Sequence, residues 1–136
     1  MNIPQLLKDR GRGSLRLVFA RSSGDSLQAL ISTMGFDFHA EELTPIDVVE
    51  AEAALSRLFH RDLAYGVSVM DTGAAQTYAR EVISEYAPRG TTIYTNAQWD
   101  EDKLTTWNPV TAATFNVLIL IVRNGFAMCV LVEDED

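Results

Sequence analysis

The stretch FNVLILIVRNGFAMCVLVEDED, residues 115–136, decides how the rest of the chain is read. Two apolar runs, Phe115 to Val122 and Phe126 to Val132, are separated by Arg123-Asn124-Gly125. Asn-Gly between such runs is a strong hairpin signal, because glycine takes positive φ at a tight turn without steric cost. Neither run alternates polar with apolar residues. Strands that are apolar on both sides need cover on both sides, so this hairpin is expected at the centre of a sheet.

Working outward, Thr91 to Thr95 is strand-like, and residues 96–113 are the least regular part of the chain, polar and punctuated by Asn96, Asn108 and Pro109. Before them, Ala75, Tyr78, Ala79, Val82, Ile83 and Tyr86 recur at helical spacing behind an Asp71-Thr72 cap, and Pro88-Arg89-Gly90 ends the helix. Leu63 to Met70 is mostly apolar and reads as a strand. Thr44-Pro45-Ile46-Asp47 reads as the start of a helix reaching His60, with Thr44 as cap and Pro45 in the first turn. Leu27, Leu30, Ile31 and Met34 form a shorter helical stripe after a Ser22-Ser23-Gly24-Asp25 turn and cap, stopped by Gly35, and Phe36 and Phe38 follow in an extended piece. Ser14 to Arg21 alternates as a strand, and Asn2 caps a helix that Gly11 ends. Helices alternate with strands until the hairpin closes the chain. The expectation is one α/β or α+β domain, residues 1–136, with a mixed sheet and flanking helices.

Composition narrows the function. The chain has 136 residues, 11 Lys+Arg against 19 Asp+Glu, a net charge of −8, 47% hydrophobic residues and one cysteine. By the scaling of area with mass, folding reduces roughly 21,900 Å² of surface to about 7,100 Å², enough burial for one core. A single cysteine cannot staple a secreted mini-domain. An acidic chain lacks the cationic surface that nonspecific nucleic-acid binding requires. No apolar run approaches the roughly 18–20 residues that span a bilayer. The basic start, Lys8, Arg10, Arg12, Arg16 and Arg21 against Asp9, is expected to be an ordinary folded segment, since arginine interrupts its apolar run and Gly11 and Gly13 break any presequence helix. The expected setting is the cytoplasm.

No catalytic set, cofactor motif or metal site emerges. Asp71-Thr72-Gly73 has the form of an aspartic-protease turn, but a helical pattern follows it and a cap explains the same residues. His39 and His60 lack ligand spacing to each other, although His39 with Glu41 and Glu42 offers potential ligands. His60 suits the C-terminus of a helix, at the negative end of its dipole. Cys129 sits among apolar neighbours, where a buried neutral thiol is expected. Gly11-Arg12-Gly13 precedes a strand and so lacks the strand-to-helix context of a phosphate loop. The four arginines around it are expected to pair with the chain's own carboxylates, the alternative being a grip on an acidic partner.

One acidic and aromatic constellation stands out: Tyr94, Asn96, Trp99, Asp100, Glu101, Asp102 and Trp107, together with Glu133, Asp134, Glu135 and Asp136. Tryptophan and tyrosine anchor interfaces, and surrounding carboxylates speed encounter with a cationic partner; the other reading of the same residues is that both tryptophans cap the core and the acids keep the protein in solution. Tyr94-Thr95-Asn96, Trp107-Asn108-Pro109-Val110-Thr111, Thr114-Phe115 and the hairpin ending in Glu133-Asp134-Glu135-Asp136 resemble the C-terminal part of small acidic bacterial toxin-immunity proteins. The resemblance covers about the last third of the chain. It implies a protein that binds and neutralises a cognate toxin domain, often a nuclease, made by the same cell. Two alternatives stand beside it: a structural or adaptor domain whose two-sided hairpin is completed by self-association, and a small enzyme with a loop-built site using His39 or His60.

Overall fold

The structure is a computed structural model and describes residues 1–11, 14–22, 24, 26–101 and 103–135. In chain order the elements are α1 (Ile3–Arg10), β1 (Ser14–Ala20), α2 (Leu27–Thr33), a 3-10 turn (Ala40–Glu42), β2 (Thr44–Ile46), α3 (Val48–His60), α4 (Thr72–Tyr86), β3 (Thr92–Thr95), β4 (Ala97–Asp100), β5 (Lys103–Trp107), β6 (Phe115–Arg123) and β7 (Phe126–Asp134).

The expected hairpin is β6–β7, and its two strands lie inside a five-stranded sheet of order β1-β7-β6-β3-β2. Register runs from Phe115 opposite Asp134 to Arg123 opposite Phe126, and Gly125 supplies a φ of +82° at the turn. Every strand pair is antiparallel, not the mixed pairing the alternation suggested, and this makes the fold α+β. Both faces of the hairpin are covered. Val117, Ile119, Ile121, Met128, Val130 and Val132 pack with Leu6 of α1 and the apolar stripes of α3 and α4. Leu118, Leu120, Ala127, Cys129 and Leu131 face Leu30, Ile31 and Met34 of α2, with Phe38, Leu43 and Val110. The folded surface, 7191 Å², agrees with that expected of one core in a chain of this mass.

Caps explain most helix starts. Asn2 accepts from the Gln5 amide, Asp71 from the Ala74 amide, and Gly11 ends α1 with a φ of +56°. The cap of α2 is not within 22–25 as expected but Ser26, whose hydroxyl accepts from the Ala29 amide; the turn expected at 22–25 includes Ser23 and Asp25, outside the described residues.

Three further expectations change. Thr44-Pro45-Ile46 is not the start of α3 but the edge strand β2, paired with Ile93 to Thr95. Asp47 caps α3 instead: its carboxylate accepts from the Glu50 amide at 2.7 Å, while Glu50 accepts from the Asp47 amide at 3.1 Å. That reciprocal box satisfies two amides where a threonine cap satisfies one, and an edge strand tolerates Pro45. Residues 63–70 form a loop, held by an isolated bridge between Arg61 and Ser68. Asp62 organises it by accepting from the amides of Tyr65 and Val67, with Gly66 at a φ of +67°. The stretch expected to be irregular contains a separate two-stranded sheet, β4–β5. The extended piece around Phe36 forms no strand, although Phe38 is buried.

The basic start and the acidic end meet inside the molecule. The buried Arg10 side chain donates from Nε to the Leu58 carbonyl at 2.8 Å and from Nη2 to the Arg61 carbonyl at 3.3 Å. Its Nη2 lies 3.6 Å from Asp134, which also accepts from the Leu63 amide at 2.7 Å. Burial pushes the Arg10 pKa down, and the Asp134 and Asp62 carboxylates oppose that shift. One network therefore ties α1, the end of α3, the 61–70 loop and β7 together.

Candidate functional site

The β4–β5 hairpin holds Trp99, Asp100, Glu101 and Trp107 of the acidic and aromatic constellation. Ala97 pairs with Trp107, and Asp100 with Lys103. Its base is fixed by buried amides. Asn96 donates to the carbonyls of Asn108 (2.9 Å) and Asn116 (3.0 Å) and accepts from the Leu118 amide at 2.8 Å. Asn116 accepts from Val110 at 2.8 Å and donates to Ala113 at 3.1 Å. A buried amide with its donors and acceptor engaged fixes the backbone around it, because any shift would strand polar groups away from water. The Trp107 ring packs 5.4 Å from the Phe115 ring.

At the other end, Asp100 and Glu101 are exposed, and Glu101 takes a φ of +54°. Trp99 is half-buried, with the Arg57 guanidinium 5.4 Å from its ring centroid. A cation over an indole face is attracted by the ring's quadrupole, so this contact couples the hairpin to α3. The indole nitrogen of Trp99 is buried without a hydrogen-bond partner among the described residues.

The constellation expected from sequence divides. Trp99, Asp100, Glu101 and Trp107 share the β4–β5 hairpin. Tyr94 packs with the α2-side core, whereas both tryptophans pack with the core on the α3 and α4 side. The C-terminal acids are engaged within the chain. Glu133 pairs with Arg16 at 2.7 Å, Asp134 is buried beside Arg10, and Glu135 accepts from both the amide and hydroxyl of Thr114. Those bonds hold the Glu135 pKa below the ordinary glutamate range. Asp102 and Asp136 lie outside the described residues. Of the expected pairings of basic residues with the chain's own acids, those of Arg10 and Arg16 are present; Arg21 makes no salt bridge among the described residues, and Arg12 and Gly13 are not described.

Clefts converge on Arg57. One of about 600 Å³ runs between α3 and α4, lined by Arg57, His60, Arg61, Thr72, Gln76 and Arg80. A second, of about 500 Å³, lies between the Asp62–Gly66 loop and the hairpin, and a third, of about 620 Å³, between β2 and the hairpin. The basic residues of the first cleft were not singled out from sequence. Their signal was available: Arg57 and Arg61 stand four residues apart near the end of a helix, among only six cations after Arg21.

His60 is the last residue of α3. Its Nδ1 lies 2.6 Å from the Met70 carbonyl, which can only accept, so Nδ1 carries the proton; Nε2 lies 3.3 Å from the Thr72 hydroxyl. Both nitrogens thus join the end of α3 to the start of α4. His39 precedes the 3-10 turn and is exposed. Burial pushes the Cys129 thiol pKa far up, away from a nucleophilic thiolate. Among the described residues, no group of three or more His, Cys, Asp or Glu side chains is placed to hold a metal ion, and no helix is long and apolar enough to cross a membrane.

The fold and site together define an α+β protein with a central antiparallel sheet and an amide-anchored hairpin bearing an aromatic and acidic end. No family model, curated protein or solved structure matches the chain.

Proposed function

We propose that this chain is a non-catalytic binding protein of the immunity type, which neutralises a basic toxin domain in the cytoplasm of the cell that makes both. The observation that carries this reading is the β4–β5 hairpin, with exposed Asp100 and Glu101 beside the half-buried Trp99 on a base anchored by Asn96. A pre-organised support lowers the ordering cost of binding, a half-buried aromatic offers an anchor, and exposed carboxylates steer a cationic partner and stand in for phosphates in a nuclease cleft. The engagement of Glu133, Asp134 and Glu135 within the chain supports reading the hairpin acids, rather than the C-terminal ones, as the source of steering charge.

The test is co-expression with the products of neighbouring genes, asking whether one is toxic alone and harmless with this chain. The protective complex should weaken as salt rises. The double variant Asp100→Asn/Glu101→Gln should slow association about tenfold, as expected when steering charge is removed. Absence of protection against any neighbouring product, or unchanged association in the double variant, refutes the reading.

A further inference from the structure

The α3–α4 cleft is a concentration of positive charge in an acidic protein; Arg57 and Arg61 at one side of it also line the neighbouring cleft with Asp100 and Glu101, whereas Arg80 does not. Three guanidiniums, Arg57, Arg61 and Arg80, line it against one carboxylate, Glu52. Residues 22–136 carry six cations and 18 anions, so half of the cations in that part of the chain line one groove. Arg61 donates to the Gly66 carbonyl at 2.7 Å, and neither Arg61 nor Arg80 makes a salt bridge among the described residues. Neutral hydrogen-bonding groups, including Ser56, Thr72 and Gln76, line the rest.

The charges are spread along the groove. The His60–Thr72 contact joins the end of α3 to the start of α4, placing Arg61 near that end. Arg80 lies eight residues along α4 from Thr72, about 12 Å at the helical rise per residue. Separated guanidiniums favour a ligand whose negative charge also sits on more than one group, and arginine's planar donors suit phosphate oxygens. The cleft's volume of about 600 Å³ falls within the range of small-molecule sites. We propose that the α3–α4 cleft binds a small molecule bearing two or more phosphate groups. The site stands on Arg61 and Arg80; Arg61 borders the hairpin acids, so Arg80, which does not line the hairpin cleft, is the residue that separates this proposal from the hairpin reading.

The experiment is a two-dimensional NMR titration of the full chain with inorganic tripolyphosphate, inorganic phosphate and a tetraglutamate peptide in parallel. Tripolyphosphate should give saturable shifts confined to residues 53–61 and 72–80, and bind about tenfold tighter than phosphate, as expected for several charge-assisted contacts instead of one. Arg80→Gln, at an exposed side chain without a salt-bridge partner among the described residues, should weaken binding at least about threefold, and Arg61→Gln/Arg80→Gln about tenfold. Arg16→Gln, on the α2 side of the sheet, should leave it unchanged. The proposal is overturned if no saturable shift appears, if Arg80→Gln binds as tightly as the parent chain, if the shifts fall in residues 1–21, or if the acidic peptide binds better than tripolyphosphate.

Discussion

Two acidic runs of similar composition meet opposite fates in this fold. Glu133-Asp134-Glu135 continues a central strand, and each of its carboxylates finds a partner in the chain: Arg16, Arg10 and Thr114. Asp100 and Glu101 sit at the far end of a small, separate hairpin and stay in solvent. Register explains the difference. Residue 134 of β7 lies opposite Phe115, beside the end of α3, where Arg10 already reaches two carbonyls that need a donor. The hairpin's base is spent on anchoring, which leaves its other end to face outward. A run of acids is therefore uninformative by itself; what the chain builds next to it decides whether it stabilises the fold or addresses a partner.

The strongest way to break this contrast is to remove Asp134. Asp134→Ala removes one of the two carboxylates that balance the buried Arg10 guanidinium, Asp62 being the other, and leaves the Leu63 amide without its acceptor. Breaking one partner of a buried pair costs about 3–5 kcal/mol, so the urea midpoint should fall sharply at constant m. A loss under about 1 kcal/mol, the range of exposed pairs, would mean that the two acidic runs are energetically alike after all.

The same contrast marks where sequence could be read and where it could not. The β6–β7 hairpin was legible because Asn124-Gly125 and unbroken apolar runs are local signals, and their two-sided apolarity correctly placed them at the sheet's centre. The caps at Asn2 and Asp71 were legible for the same reason. Thr44-Pro45 reads as a helix start, but a proline suits an edge strand as well as a helix's first turn, and pairing with β3, distant in sequence, decides for the strand. Leu63 to Met70 looked like a strand by composition, but Asp62 and Gly66 impose turn geometry that apolar content does not reveal. At the candidate site, Trp99, Asp100 and Glu101 were brought together because they are neighbours in sequence. The burial of Asp134 and the gathering of Arg57, Arg61 and Arg80 depend on contacts between distant segments, which residue spacing alone does not give.

Glu133 should show a smaller effect than Asp134. Its bond to Arg16 is short but lies at the surface, where solvent screens the charges and long side chains lose entropy. Glu133→Gln should therefore cost about 0.2–1 kcal/mol, and the loss should shrink at high salt. A loss comparable to that of Asp134→Ala would place the Arg16 pair inside the same buried network. For Glu135 the informative variable is pH. Its pKa is lowered by hydrogen bonds from Thr114, so its contribution to stability is present above the ordinary glutamate pKa and is lost as pH falls through the lowered folded value. Carbon-13 titration of the Glu135 carboxyl should place its midpoint below the ordinary glutamate range, and Thr114→Val should raise that midpoint. A midpoint unmoved by Thr114→Val would detach Glu135 from the paired set.

The smallest expected change in stability falls on the hairpin, and there a small number is the informative result. If Asp100 and Glu101 do no structural work, Asp100→Asn/Glu101→Gln should leave the unfolding free energy within about 0.5 kcal/mol of the parent chain, as for surface substitutions away from buried networks. Trp99 reports on the same question from inside. Its ring is held against Arg57, so fluorescence should be unchanged in the double variant if the hairpin keeps its seat. A loss above about 1 kcal/mol, or a shifted tryptophan emission, would show that these acids also serve the fold. The two runs would then differ in degree only, and slower partner association in the double variant would no longer separate steering from hairpin collapse. With both readouts unchanged, slower association belongs to the charges themselves.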